Sequence, residues 1–179
     1  YSTLEPAMSH AYSFAIISVF VYYTIQWHSN PSLKKAIFIG ALFGLIVIIR
    51  PVNIILFLFP LLYNVISWKS FIEKLNFLLQ HKKHLFLMCI VGFIVVSPQL
   101  MYWKYLTGEW FFYSYQNEHF YFKTPHILKG LFSFRNGWLI YTPIMIFSLI
   151  GIAFIYKTNK KFFLPIILFF LVNIFICYS

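Results

Sequence analysis

The chain contains no aspartate, four glutamates and two cysteines among 179 residues, and only 10% of it is charged. Charge this sparse excludes a water-soluble domain. With 61% hydrophobic residues and a mean hydropathy of +0.78, a single core cannot hide the apolar surface of so short a chain. The two cysteines, Cys89 and Cys177, both lie inside apolar runs, where a thiol serves as a small apolar group and no disulfide is expected. The fourteen Lys and Arg residues give a net charge of +10 but no continuous basic face, so nucleic acid is not an expected partner. No signal peptide is expected, and no internal repeat or low-complexity tract stands out. The sequence opens with Tyr1 and stops within an apolar run at Ser179, as expected of an internal piece of a longer membrane protein.

What fills the chain instead is six long apolar stretches, at about 10–27, 35–49, 51–68, 84–103, 138–156 and 162–178. A bilayer core takes ~20 apolar residues per helix. The expected fold is therefore all-α: a polytopic bundle of about six transmembrane helices forming one domain over 1–179. The second and third stretches would together make a helix of ~50 Å, too long for one crossing. Arg50-Pro51 divides them, because proline disfavours helical geometry at the preceding residue. A tight reversal is expected there, with Arg50 at a membrane surface; a kinked, strongly tilted single helix is the alternative.

The positive charges assign the sides. Lys34, Lys35, Lys69, Lys74, Lys82, Lys83, Lys157, Lys160 and Lys161 all fall on one side if the helices alternate, which makes that side cytoplasmic. Residues 70–83 are amphipathic, with Phe71, Ile72, Leu75, Leu78 and Leu79 on one helical face, and suit a helix lying along the cytoplasmic interface. His81 and His84 stand a helical turn apart, but without a cysteine or carboxylate partner they are read as interfacial basic residues; no metal site is assigned. Gly40 and Gly44 form a small-xxx-small pair, read as close helix packing.

The opposite, extracytoplasmic side holds the groups with chemical potential. The connection 104–137 has 34 residues, 11 of them aromatic, and is expected to fold back onto the bilayer surface. It offers Glu109, Gln116, Asn117, Glu118, His119, Lys123 and Arg135; an interfacial packing loop is the alternative. Arg50, at the hydrocarbon boundary, has the planar fork that binds phosphate oxygens in pairs, or else snorkels to headgroups. Glu5 and His10 precede the first span on the same side, as a hydroxyl-orienting pair or as simple helix-start groups. Gln99 and Lys104 also point outward, and Pro98 is expected to kink the fourth span and free backbone carbonyls.

Glu5-Pro6-Ala7-Met8-Ser9-His10, Ile49-Arg50-Pro51-Val52-Asn53, Trp103-Lys104-Tyr105-Leu106-Thr107-Gly108 and Leu131-Phe132-Ser133-Phe134-Arg135-Asn136-Gly137-Trp138 occur in that order. The set resembles the multi-span glycosyltransferases of the C superfamily (GT-C fold), and among them bacterial proteins similar to protein O-mannosyltransferases and aminoarabinose transferases. The resemblance implies an enzyme of the bacterial inner membrane that moves a sugar from a polyprenyl-phosphate donor to a glycan, lipid or protein acceptor. The acceptor hydroxyl, deprotonated by an aspartate of the first external loop, attacks the anomeric carbon, and polyprenyl phosphate leaves. The absence of aspartate implies that this catalytic loop lies upstream of Tyr1. On this resemblance Arg50, Lys104 and Arg135 are expected near the donor phosphate, Glu5, His10 and Glu118 orient hydroxyls, and Trp110 and Tyr113 stack on a sugar. Sugar, acceptor and any need for a divalent metal stay open. A flippase or transporter for lipid-linked sugars, or a noncatalytic membrane subunit, are the rival readings; a transporter would bury ionisable groups at mid-span.

Overall fold

A computed structural model describes residues 9–111, 126–134 and 137–178. Within them the chain is helical, with no strand. The helices are α1 (His10–Ser29), α2 (Leu33–Ile49), a 3-10 helix (Pro51–Phe57) continuing into α3 (Leu58–Leu62), α4 (Trp68–Gln80), α5 (Lys82–Thr107), α6 (Ile127–Phe132), α7 (Trp138–Tyr141), α8 (Met145–Thr158) and α9 (Lys160–Cys177). Among the described residues α5 and α9 are long and apolar enough to cross a membrane, each with a mean hydropathy of 2.1 over its most apolar stretch. Only 6% of either stretch is buried inside the protein, whereas the core helix of a soluble domain would be mostly covered.

The chain forms two compact units. The first comprises Tyr1–Pro60 and Leu75–Ser114, the second Leu61–Lys74 and Tyr115–Ser179. In the first, α2 packs on α1 and, most extensively, on α5. Glycine makes the α2–α5 approach possible. A Cβ on Gly40 would sit 2.5 Å from the Met88 carbonyl oxygen, and one on Gly44 would sit 2.8 Å from that of Gly92. The pairing advances in the same direction along both helices, from Gly40 beside Met88 to Gly44 beside Val95, so α2 and α5 run parallel. Ile39, Leu42 and Ile46 bury themselves on α2, and Phe20 and Trp27 on α1. Trp27 is fully buried and its Nε1 donates to His84 Nδ1 at 3.0 Å, which leaves the neutral His84 proton on Nε2. The His81 Nδ1 in turn donates to the Phe77 carbonyl at 2.9 Å.

In the second unit α8 packs against α9, and α6 starts on the end of α9, where the His126 N–H donates to the Tyr178 carbonyl at 2.9 Å. The third apolar stretch is helical only to Leu62, short of the expected Trp68. Seven residues of 3-10 helix and five of α-helix span ~21 Å, less than the ~30 Å of a hydrocarbon core. The stop is local: Asn64 adopts a left-handed φ of 70°, which asparagine tolerates better than most residues. Its N–H donates to the Lys161 carbonyl at 3.0 Å. That carbonyl is available because Pro165, four residues on in α9, has no N–H to offer it. The same problem in α5 is solved within the helix. Pro98 leaves the Ile94 carbonyl without its helical partner, and the Ser97 hydroxyl donates to it at 2.9 Å.

The amphipathic stretch is a helix, α4, and its first turn explains why. Ser67 caps it by accepting from the Ser70 N–H at 3.3 Å, while the Ser70 hydroxyl accepts from the Ser67 N–H at 2.8 Å, a reciprocal capping box. The expected apolar face is divided, however. Leu78 is buried and Phe71 half-buried, together with Lys74, whereas Ile72, Leu75 and Leu79 form an exposed stripe with Trp68. Burial pushes the Lys74 ammonium down to about 8.

Gly40→Ala drives a methyl into α5 backbone and should destabilise the fold by about 1–3 kcal/mol in thermal unfolding. Gly151→Ala, in α8, meets nothing within 4 Å and should stabilise by up to ~1 kcal/mol through helix propensity. For Lys74, a folded value below the ordinary 10.5 means the unfolded chain binds more protons between about 8 and 10.5. Stability should therefore rise across that window as pH rises. Lys74→Met should remove this share of the rise, read as the difference between wild-type and variant melting curves from pH 7 to 10.

Candidate functional site

Arg50 ends α2 because it precedes proline. Its backbone is extended (φ −149°, ψ 111°), and its N–H still closes the last helical turn onto the Ile46 carbonyl at 3.2 Å. Its carbonyl accepts from the Asn53 N–H at 2.9 Å, which turns the chain into the 3-10 helix. The helix break expected at Arg50-Pro51 is therefore present. The side chain stays exposed, and an Arg50 guanidinium N–H donates to His10 Nδ1 at 3.4 Å. His10 is the first residue of α1. Its Nδ1 lone pair being engaged by Arg50, the neutral ring carries its proton on Nε2, a further donor. A guanidinium and an imidazole N–H side by side make a site for an oxyanion.

Three buried side chains of the same unit, Ser13, Thr24 and Asn53, carry a polar atom without a partner among the described residues, and two of them neighbour His10 and Arg50 in sequence. Ser13, one turn after His10, and Asn53, three residues after Arg50, are buried. Among the described residues the Ser13 hydroxyl and the Asn53 amide nitrogen have no hydrogen-bond partner. A buried orphan donor costs about 1–3 kcal/mol. Neither was singled out as a site residue from sequence, although Asn53 sits inside the Arg50-Pro51-Val52-Asn53 motif and the spacing of three was visible.

Lys104 and Trp110 form a second pair. The Lys104 ammonium donates to the Gly108 carbonyl and lies 5.7 Å from the Trp110 ring centroid. Gly108 makes this fold-back possible, ending α5 in the left-handed region at φ 78°. Because α2 and α5 run parallel, Lys104 lies at the same end of the pair as Arg50, displaced outward by roughly 5–10 Å at 1.5 Å per residue. No hydrogen bond or ring contact joins the His10–Arg50 pair to the Lys104–Trp110 pair among the described residues. Glu5, Tyr113, Glu118 and Arg135, with Gln116, Asn117, His119 and Lys123, lie outside the described residues. Gln99 is half-buried on α5. Among the described residues no group of three or more His, Cys, Asp or Glu side chains is placed to hold a metal ion.

Comparisons with protein-family models, with curated proteins and with solved structures return no match for this chain.

Proposed function

We propose that this chain is part of an integral-membrane glycosyltransferase of the bacterial inner membrane, transferring a sugar from a polyprenyl-phosphate donor to an acceptor on the extracytoplasmic side. The observation that carries the reading is the His10–Arg50 pair, two oxyanion-binding groups at one end of the α1–α2 hairpin. In this proposal α1, α2, the Pro51–Leu62 segment, α5, α8 and α9 all cross the bilayer. Outward-facing Phe14, Tyr22, Phe86, Phe93, Phe147 and Phe154 support that embedding, since each is more than half exposed and lipid covers such surface without penalty. The Pro51–Leu62 segment and α8 are short for a full crossing, which local bilayer thinning accommodates.

At the proposed site the donor phosphate sits on Arg50 and the His10 Nε2–H. The acceptor oxygen forms a bond to the anomeric carbon as the bond from that carbon to the phosphate oxygen breaks, and the electron pair departs with polyprenyl phosphate. Arg50 stabilises the negative charge that grows on this leaving group. The acceptor proton passes to a general base that is not assigned to any residue of this chain. Lys104 adds positive potential at the outer edge, and Trp110 offers a ring face to a sugar. Glu5, Glu118, Tyr113 and Arg135 keep the orienting, stacking and phosphate roles that the family resemblance implies.

The transporter alternative depends on broken helices whose free carbonyls coordinate ions. The carbonyls freed by Pro98 and Pro165 are already occupied by Ser97 and Asn64, which weighs against it.

In the full-length protein Arg50→Ala should leave membrane insertion and the circular-dichroism melt within error. It should lower transfer from lipid-linked mannose or aminoarabinose by about 100-fold, the loss of one charge-stabilising donor. Full transfer by this variant would remove Arg50 from the donor site.

A further inference from the structure

The second unit holds a cleft of about 380 Å³ that the proposed transfer does not use. Its walls are Trp68 and Phe71 of α4, Tyr156 of α8, and Lys160, Phe163 and Leu164 of α9. With the segment 65–67 the cleft has nine lining residues, four of them aromatic, and Lys160 is the only charged one among the described residues. The Lys160 ammonium lies 5.4 Å from the Tyr156 ring centroid. The Tyr156 and Phe163 rings meet edge to face at 4.9 Å, and Trp68 stacks on Phe71 at 5.5 Å. Trp68 and Tyr156 are nonetheless 76% and 52% exposed, so the aromatic surface is open.

Charge selects what can fill it. Both α4 and α9 begin at this cleft, at Trp68 and Lys160, so the positive ends of two helix dipoles adjoin it. Lys69, Lys157 and Lys161 flank the lining residues in sequence and are exposed; Glu73, on α4, is the one carboxylate among the unit's described residues. An apolar, aromatic trough edged by lysines and helix N-termini is matched by a molecule with hydrocarbon at one end and an anion at the other. A neutral peptide would leave the cations unanswered, and a free anion would leave the aromatic wall in water.

We infer that this cleft binds an anionic phospholipid, with the phosphate at Lys160 and the acyl and glycerol groups against Trp68, Phe71, Tyr156 and Phe163. The inference rests on the membrane embedding proposed above and is independent of the transferase reading. Under the proposed orientation the lipid comes from the cytoplasmic leaflet, whose anionic headgroups are attracted to juxtamembrane lysines.

The test uses the full-length protein in phosphatidylcholine vesicles carrying graded fractions of dibrominated phosphatidylglycerol or dibrominated phosphatidylcholine. The Trp68 emission is isolated by subtracting the Trp68→Phe variant. Half-maximal quenching should need about fivefold less brominated phosphatidylglycerol than brominated phosphatidylcholine, the preference expected of one lysine near the surface. Lys160→Arg should keep that preference, and Lys160→Gln should bring it close to one. Equal quenching by the two lipids in the wild type would overturn the anionic site while leaving the embedding intact. Displacement of the lipid by millimolar inorganic phosphate would overturn it in favour of a free-anion site. Protection of Trp68 from both brominated lipids would overturn it too, with a second copy or another segment covering the cleft, and would count against the embedding of this unit.

Discussion

The contact on which the first unit depends is backbone against backbone, at Gly40, Gly44 and Gly92. With no side chain between them, α2 and α5 approach closely enough for carbonyl oxygens to occupy the space a Cβ would fill. Dispersion over such a surface is individually weak and collectively large, and it needs no water to drive it. The direction of the pairing matters as much as its closeness. Parallel helices deliver Arg50 and Lys104 to one end, and the α1–α2 hairpin brings His10 back to that end. The His10–Arg50 contact is therefore a consequence of helix packing and is not a property of a loop.

A second constraint governs the irregular parts. A helix that contains proline leaves one carbonyl without its N–H, and an apolar environment makes that vacancy expensive. The chain fills each with a donor that the rest of the structure already supplies: the Ser97 hydroxyl in α5, and the Asn64 N–H against α9. In the second case the repair also ends the third apolar stretch and sets up Ser67 to cap α4. The cleft lined by Trp68 and Lys160 follows from that turn. A hydrogen bond from Asn64 to Lys161 thus connects a proline in one helix to the start of another.

Much of this was legible in residue order. Apolar runs located α1, α2, α5 and α9 to within a few residues, Arg50-Pro51 marked a helix break, and the Gly40–Gly44 spacing announced a close approach. These signals are local, so a single sequence carries them. The fifth run, expected as one span over 138–156, instead divides at Thr142-Pro143 into α7 and α8. The early stop at Leu62 was not legible, because the run remains apolar to Trp68 and the acceptor for Asn64 lies in α9. The buried Lys74 escaped for a related reason: helical periodicity describes an apolar arc but not which part of it the protein covers, and here Ile72, Leu75 and Leu79 are left outside. At the candidate site, His10 and Arg50 were each visible, but their contact was not, nor were the orphan groups of Ser13 and Asn53. Glu5, Tyr113, Glu118 and Arg135 lie outside the described residues, so their place in the proposed site rests on the family resemblance alone.

The account stands on one arrangement: a helical bundle in lipid whose His10–Arg50 end faces outward. Its most direct test is labelling of intact cells with a membrane-impermeant maleimide. The full-length protein would have Cys89 and Cys177, both exposed, replaced by serine, and would carry one new cysteine at a time. Lys104→Cys should label without permeabilisation, and Lys34→Cys and Lys82→Cys only after it. Labelling of the Lys34 or Lys82 position in intact cells, with Lys104 protected, would contradict the arrangement and the outward-facing phosphate chemistry built on it.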